Sequence, residues 1–295
     1  MKIMLLGKNG QVGSELQKRL ALIGELISLG RRDPNGDLTI INSTANRILD
    51  EQPDVVVNAA AYTAVDKAEN EIDICRRINS IAVEEIAEAC KTANSLLVHY
   101  SSDYVFNGEG NHFWKENDQT GPLNVYGATK LEGENAIKKI GCKHIVFRTS
   151  WVYGLNGKNF PSTIINLAQE KKELKIINDQ YGVPTGADLI ADISARAIVS
   201  AKKTELSGVY HLVPSGTTTW YEYAKKCIEI AQNKELKMSM TSSDVEPVST
   251  ADYQSAAKRP KNSRLHTSKI ERELRIKLPS WEIGVEKYIS SILNK

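Results

Sequence analysis

Lys2-Ile3-Met4-Leu5-Leu6-Gly7-Lys8-Asn9-Gly10-Gln11-Val12-Gly13 decides how this chain folds. Lys2–Leu6 is a short apolar run ending in a glycine, the pattern of a buried strand. Gly7, Gly10 and Gly13 follow at GxxGxxG spacing. Ser14–Ile23 then carries Leu16, Leu20 and Ile23 at helical spacing, with Gly24 as its stop. The more familiar fingerprint is GxGxxG, but the physical demand is similar. Glycine permits the tight turn and lets backbone N–H groups approach a pyrophosphate. The helix N-terminus adds partial positive charge. A ligand-free glycine turn is the plainer alternative; its place straight after the first strand favours a dinucleotide.

Working outward, Leu26–Leu29, Asp54–Ala61, Leu96–Ser101 and His144–Arg148 read as further strands. Between them Ala45–Glu51 (closed by Pro53), Asn79–Ala93 and Tyr126–Lys139 read as helices. The strands are continuously apolar rather than alternating, as strands covered on both faces should be. This rhythm predicts an α/β fold, a Rossmann-type doubly wound parallel sheet. Beyond about residue 150 it loosens. Phe160–Glu170, Asp188–Ala201 and Tyr221–Ala231 read as helices, Leu174–Ile177 and Gly208–Leu212 as strands, and Ser242–Arg264 as loop. We expect a dinucleotide-binding domain over 1–150 with parts of 170–215. The remainder of 151–295 is expected to form a smaller, interleaved C-terminal substrate domain.

Composition sets the outer bounds. The 295 residues are 41% hydrophobic and 25% charged, enough apolar surface to make disorder a poor reading. A net charge of +2 gives no reason to expect nucleic acid or an anionic membrane as partner. No apolar run approaches the roughly 20 residues of a membrane span. The apolar start reaches Gly7 too soon for a signal peptide. Cys75, Cys90, Cys142 and Cys227 form no CxxC, so four reduced, buried thiols in a cytoplasmic protein are expected.

The choice of coenzyme falls at the end of the second strand. An acid there binds the adenosine 2′-hydroxyl of NAD and repels the 2′-phosphate of NADP. Here the strand ends Leu29-Gly30-Arg31-Arg32-Asp33. Two guanidinium groups suit a phosphate dianion in charge and in their fork of donors. NADP(H) is therefore preferred and NAD(H) stays open, since Asp33 lies within reach of a ribose.

Tyr126-Gly127-Ala128-Thr129-Lys130 has the form YxxxK on an expected helix, which puts both side chains on one face. A phenol of pKa about 10 is a poor acid near neutrality. A neighbouring ammonium is expected to lower it, so that Tyr126 can protonate a carbonyl oxygen as hydride arrives. Lys130 can also hold the nicotinamide ribose. About 25 residues upstream, Ser101 and Ser102 end a strand, where open α/β sheets place their ligands. A serine hydroxyl there can bind the reacting oxygen. His99 and Tyr100 read as core.

GxxGxxG, the Ser-Ser-Asp strand end and YxxxK together resemble the extended short-chain dehydrogenase/reductase superfamily. The segments GKNGQVG (7–13), VVNAAAYTAVDKAE (56–69), YSSDYVFNGEG (100–110), PLNVYGATKLEGE (122–134), FRTSWVYG (147–154), INDQYGVPTGADLIADI (177–193), GVYHLVPSGTTTWYEYA (208–224) and KRPKNSRL (258–265) resemble the dTDP-4-dehydrorhamnose reductase family. That resemblance implies NAD(P)H-dependent reduction of the C4 ketone of dTDP-4-dehydro-β-L-rhamnose. It places the catalytic hydroxyl, usually threonine, on Ser102, with Tyr126 and Lys130 completing the set. Asp103 and Trp151 match substrate contacts. Gly10, Gln11 and Val12 match the pyrophosphate loop, Asp37 and Leu38 an adenine-side pair, and Ala61, Tyr62 and Thr63 residues beside the coenzyme. The family often has histidine where Tyr62 stands. Some members carry an acid where Gly30 stands, and this departure agrees with the arginines. Some form a metal-linked dimer through acids, two of which match Glu15 and Asp188. The third has no counterpart in the ending Ser-Ile-Leu-Asn-Lys. Mg2+ and a homodimer thus enter only by resemblance, and no metal ligand is assigned.

Several residues stay outside the catalytic set. Trp220 reads as structural and Arg148 as a structural ion pair. Asp66-Lys67-Ala68-Glu69 reads as a helix start or lid, Asp179 and Tyr181 as a loop near the nucleotide, and Arg259-Pro260 as a loop anchor or phosphate contact. Two other functions are carried alongside: a reductase of another nucleotide 4-keto-6-deoxysugar, and a non-catalytic NADP-binding regulatory subunit.

Overall fold

β1 (Lys2–Leu6) leads through the glycine turn into α1 (Gln11–Leu20), β2 (Glu25–Leu29), α2 (Ser43–Glu51) and β3 (Val55–Asn58) in the computed structural model, which describes residues 1–204 and 206–293. Two short helices follow, α3 (Val65–Ala68) and α4 (Ile72–Arg76), then a π-helical turn at Arg77–Ile81 and α5 (Ala82–Thr92). β4 (Leu96–Ser102), a 3-10 turn at Asp103–Val105, α6 (Val125–Ile140) and β5 (His144–Thr149) come next. The remainder runs β6 (Val152–Tyr153), α7 (Phe160–Glu170), β7 (Leu174–Ile177), β8 (Tyr181–Gly182), β9 (Thr185–Gly186), α8 (Ala187–Ala201) and β10 (Gly208–His211). It ends with β11 (Thr218–Thr219), α9 (Trp220–Asn233), β12 (Val245–Val248), α10 (Ser268–Leu274) and α11 (Trp281–Leu293). Asn294 and Lys295, the last two residues of the ending read above, lie outside the described residues.

Six parallel strands make the main sheet, in the order β10-β5-β4-β3-β1-β2. Successive residues feed opposite faces. Ile3, Leu5, Val55, Val57, Val98 and Phe147 join Leu16 and Leu20 of α1 and Ile190 of α8 in one buried cluster. Met4, Leu6, Val56, Leu97 and Val146 join Ile48 of α2, Ile86 of α5 and Ile137 of α6 in another. Both faces are covered, which is why these strands read as unbroken apolar runs. β2 and β3 flank β1 on opposite sides, so the chain reverses its winding there. The crevice beyond the ends of β1 and β3 is the topological switch point, where such sheets bind ligands. A third cluster gathers Tyr153, Ile164, Tyr223, Cys227 and Trp281 around α7, α9 and α11.

α1 runs Gln11–Leu20 rather than Ser14–Ile23, and α10 and α11 have no expected counterpart; three further differences have a clear physical reason. β3 ends at Asn58 rather than Ala61, because the chain must pass over Gly7: a Cβ at Gly7 would lie 2.6 Å from Ala60 N. The helix expected over Asn79–Ala93 begins at Ile72 and is broken by the π turn, which turns Asn79 inward. Within the stretch Ser242–Arg264, β12 pairs in parallel with β7 from Val245↔Leu174 to Val248↔Ile177. Pro247 is tolerated because this is a two-stranded edge. All four cysteines are free and buried. Among the described residues no helix is long and apolar enough to cross a membrane.

Candidate active site

The glycine turn is built by close approach. Gly7 has φ +82°, and a Cβ on Gly13 would stand 2.0 Å from Gly7 O, so α1 packs directly on the turn. The N-cap of α1 is Gly10, and no side chain caps the helix. Its first N–H groups, those of Gln11 and Val12 among them, therefore face the switch-point crevice without an internal acceptor. This cradle fits the diphosphate of a dinucleotide.

At the end of β2 the charges are arranged in a way the sequence did not reveal. Asp33 Oδ2 accepts the Gly30 N–H at 2.6 Å and meets Lys8 Nζ at 2.6 Å. An acid thus stands at the strand end although Gly30 is not one, with its charge offset by Lys8. Hydrogen bonding to Lys8 and to the Gly30 N–H holds the Asp33 carboxyl below its usual range. Arg31 and Arg32 are exposed, and Arg31 Nε lies 3.3 Å from Asp37 Oδ2. Asp37 also accepts the N–H (2.9 Å) and hydroxyl (2.8 Å) of Thr39. The Leu38 side chain is in the core, so that residue offers a coenzyme only its backbone.

Past β3, Ala61, Tyr62 and Thr63 border the same crevice. Asn79 fixes this loop by accepting the Tyr62 N–H at 2.9 Å and donating to Tyr62 O at 3.0 Å. The Tyr62 hydroxyl donates to Glu71 at 2.7 Å, and that bond pushes its pKa up to about 12. Asn79 was not singled out from the sequence, because its inward turn depends on the π segment.

Asn124 caps α6 by accepting the Gly127 N–H at 2.8 Å, which places Tyr126 in the first turn and Lys130 one turn deeper. Ser102 ends β4; its hydroxyl donates to Asp103 Oδ1 at 2.9 Å and accepts the Tyr104 N–H at 3.1 Å. Tyr126 packs edge-on against Tyr104. Its hydroxyl is held above the usual phenol range by burial and by the Asp103 carboxylate, with Ser102 pulling the other way. The Lys130 side chain expected to lower it faces another ring: its Nζ lies 3.3 Å from His99 Nε2. Burial pushes Lys130 itself down to about 8. Shared burial outweighs proximity here, because desolvation disfavours both charged forms. Burial likewise pushes Asp103 up to about 6.

Trp151 follows β5 with a positive φ of 45°, and its indole stacks on Trp220. Gly182 makes room for it, since a Cβ there would lie 2.6 Å from the Trp151 ring. Trp220, read as structural, is packed against the core, stacks on Trp151 and Tyr223 and meets Phe160 at a tilt. Arg148 makes the buried ion pair expected of it, with Glu134 at 2.7 Å. Asp66 pairs with Arg259 at 2.6 Å, and Asp179 with Lys261 at 2.8 Å. Glu15 and Asp188 are paired with Lys18 and Lys287, both at 2.7 Å. Among the described residues no group of three or more His, Cys, Asp or Glu is placed to hold a metal.

A parallel sheet with a glycine turn at its switch point and a Tyr–Lys helix beside the next strand ends defines a class, the extended short-chain dehydrogenases/reductases. Within that class the chain belongs to the family described as the RmlD substrate binding domain, whose family model matches residues 1–294. It is 47% identical over 295 residues to the dTDP-4-dehydrorhamnose reductase of Salmonella typhimurium, covering 99% of this chain and 98% of that protein. A dTDP-4-dehydrorhamnose reductase structure from Clostridium acetobutylicum superposes with a TM-score of 0.90 at 33% identity, covering 99% of this chain and 100% of that one. The Bacillus anthracis enzyme in complex with NADP superposes with a TM-score of 0.87 at 33% identity, with the same coverage.

Proposed function

We propose that this protein reduces the C4 ketone of dTDP-4-dehydro-β-L-rhamnose to the hydroxyl of dTDP-L-rhamnose, with NADPH preferred over NADH. The observation that carries the reading is the placing of the Ser102 and Tyr126 hydroxyls at one strand end, beside a cradle suited to a dinucleotide. The reductases to which the chain is similar, one of them in complex with NADP, support it.

Bound in the cradle, the coenzyme supplies a hydride from its nicotinamide to C4 of the sugar. Gly7, Gly10, Gln11, Val12 and Gly13 hold the pyrophosphate, and Asp37, Leu38, Ala61, Tyr62 and Thr63 line its path. Arg31 and Arg32 bind the adenosine 2′-phosphate, while Lys8 neutralises the Asp33 carboxylate that would otherwise repel it. Ser102 turns its hydroxyl from Asp103 to the ketone oxygen. Tyr126 donates its proton to that oxygen as negative charge develops, and a proton from solvent restores the phenol. A high phenol pKa keeps the donor protonated at neutral pH, and Lys130 steadies the phenolate that remains after transfer. Trp151 and Trp220 offer an apolar wall to the deoxysugar, and Asp103 orients it. The elements beyond β5 that carry this wall act as the substrate-binding part.

The test is consumption of NADPH or NADH with dTDP-, UDP- and GDP-linked 4-keto-6-deoxysugars. Fastest turnover is expected with the dTDP sugar and NADPH. Coenzyme binding without turnover on any of them overturns the reading in favour of a regulatory subunit.

A further inference from the structure

His99 sits in the middle of β4 and is fully buried, between Val98 and Tyr100 and on the same face as Leu97 and Ser101. Both ring nitrogens have a nitrogen neighbour. Asn58 Nδ2 lies 3.3 Å from Nδ1, and Lys130 Nζ lies 3.3 Å from Nε2. Asn58 cannot turn its amide over freely, because its Oδ1 accepts the Ala60 N–H at 3.1 Å. The amide therefore presents its NH2 group to Nδ1, and Nδ1 accepts. Burial holds His99 far below the usual imidazole pKa, so the ring is neutral and carries one hydrogen. That hydrogen is on Nε2 and faces Lys130. An ammonium at Lys130 would set donor against donor, whereas an uncharged amine accepts the bond.

We propose that His99, fixed by Asn58 as the tautomer with its hydrogen on Nε2, is a positioning residue that favours the uncharged amine of Lys130 in the coenzyme-free protein. The consequence for catalysis rests on the reading of Lys130 as partner of Tyr126; the tautomer does not. The other groups facing Lys130 are few. Glu134, on its own helix and ion-paired with Arg148 of β5, raises its pKa, as does Cys75 of α4. Charging Lys130 requires the imidazole hydrogen to move to Nδ1 and the Asn58 amide to turn. The Ala60 N–H then loses its acceptor, at the residue that touches Gly7 in the coenzyme crevice. The charge of the lysine and the shape of the crevice are thereby linked through one histidine.

Long-range 1H–15N spectra of histidine-labelled, coenzyme-free protein decide the tautomer, with His99 assigned by its loss in His99→Gln. A hydrogen on Nε2 is expected, and a hydrogen on Nδ1 overturns the proposal. Asn58→Asp offers Nδ1 a carboxylate acceptor, which drives the hydrogen to Nδ1 and leaves Nε2 to accept from an ammonium. The Lys130 titration, followed by 13C NMR at Cε and assigned with Lys130→Met, should then rise by about one pH unit or more. An unmoved titration in folded Asn58→Asp overturns the proposal too. Should that variant not fold, the wild-type tautomer is sufficient. Neither readout depends on turnover, so failure of the reductase assay would leave this test standing.

Discussion

The Trp151 indole lies flat on that of Trp220, ring centroids 3.7 Å apart and planes 16° from parallel. Trp151 holds this position from a left-handed backbone conformation that costs a bulky residue about 1–3 kcal/mol. The stack exists only because residue 182 is a glycine. Gly182→Ala would set a methyl 2.6 Å from Trp151 Cε2 and displace the ring. The glycine turn and Tyr126 lie on other elements and should be unaffected. We expect KM for the keto-sugar to rise about 10–100-fold, the scale of a misplaced binding group. Kd for NADPH should stay within error, and steady-state kinetics with fluorescence titration of the coenzyme checks both.

Tyr126 is the one proton donor assigned to the ketone oxygen, and Ser102 the hydroxyl that polarises it. Tyr126→Phe should lower kcat by at least about a hundredfold with NADPH binding intact, the scale of general acid catalysis. Ser102→Ala removes a donor to the developing oxyanion and should cost about 100–1,000-fold. Ser102→Thr keeps the donor and should stay close to wild type. A Tyr126→Phe enzyme that turns over normally would sink the mechanism.

What the sequence made legible follows from burial. Strands covered on both faces print as apolar runs, so Val55–Asn58 and its neighbours were readable, and the glycine turn marked the switch point. Chemistry repeated at short spacing was also readable, as in Tyr126 and Lys130. Relations between distant segments were not. Trp220 reads as core until Trp151 is placed on it, and Asn79 reads as one more helical polar residue until the π turn swings it to Tyr62. His99 lies in an apolar strand, and its partner Lys130 reaches it only after β4 and α6 are packed. The lowering of the Tyr126 pKa by Lys130 was expected from helix spacing alone. The net shift is upward instead, because spacing says nothing of how deeply both groups are buried.

In the proposed reading, the arginines at the end of β2 carry the coenzyme preference. Arg31 and Arg32 are exposed, with Arg31 held only at 3.3 Å by Asp37, so both can swing to a phosphate. A charge-assisted bond is worth about 1.5–3 kcal/mol, or about 10–100-fold in binding. The double variant Arg31→Ala/Arg32→Ala should raise KM for NADPH by that factor and leave KM for NADH nearly unchanged. Lys8→Ala should have the same sense, because it uncovers the Asp33 carboxylate. Preserved discrimination in the double variant would place the 2′-phosphate contacts elsewhere.

Glu134 and Arg148 form a two-pronged pair, 2.9 Å at Nε and 2.7 Å at Nη2, with both side chains almost wholly buried. Glu134→Ala leaves a buried guanidinium without its counter-charge, which costs about 3–5 kcal/mol. Glu134→Leu/Arg148→Met removes both charges and should cost much less than the single change. Urea denaturation of the three proteins measures the difference.

Asp103 and Tyr126 are coupled through their charges. The Asp103 carboxylate is second only to burial among the causes that hold the Tyr126 hydroxyl above the usual phenol range. Asp103 itself is pushed up to about 6, so it is largely ionised above that pH and its field is then present. A negative charge disfavours the phenolate, so removing it lowers the phenol pKa. In Asp103→Asn the protonated, proton-donating form of Tyr126 should be lost at lower pH than in the wild type. The alkaline limb of log kcat/KM against pH for ketone reduction should move down accordingly. The acid limb contributed by Asp103, centred near its own pKa of about 6, should vanish in the same variant. A limb that moves up, or does not move while the acid limb is lost, would mean that Tyr126 does not feel Asp103 during the reaction and that another group supplies the proton.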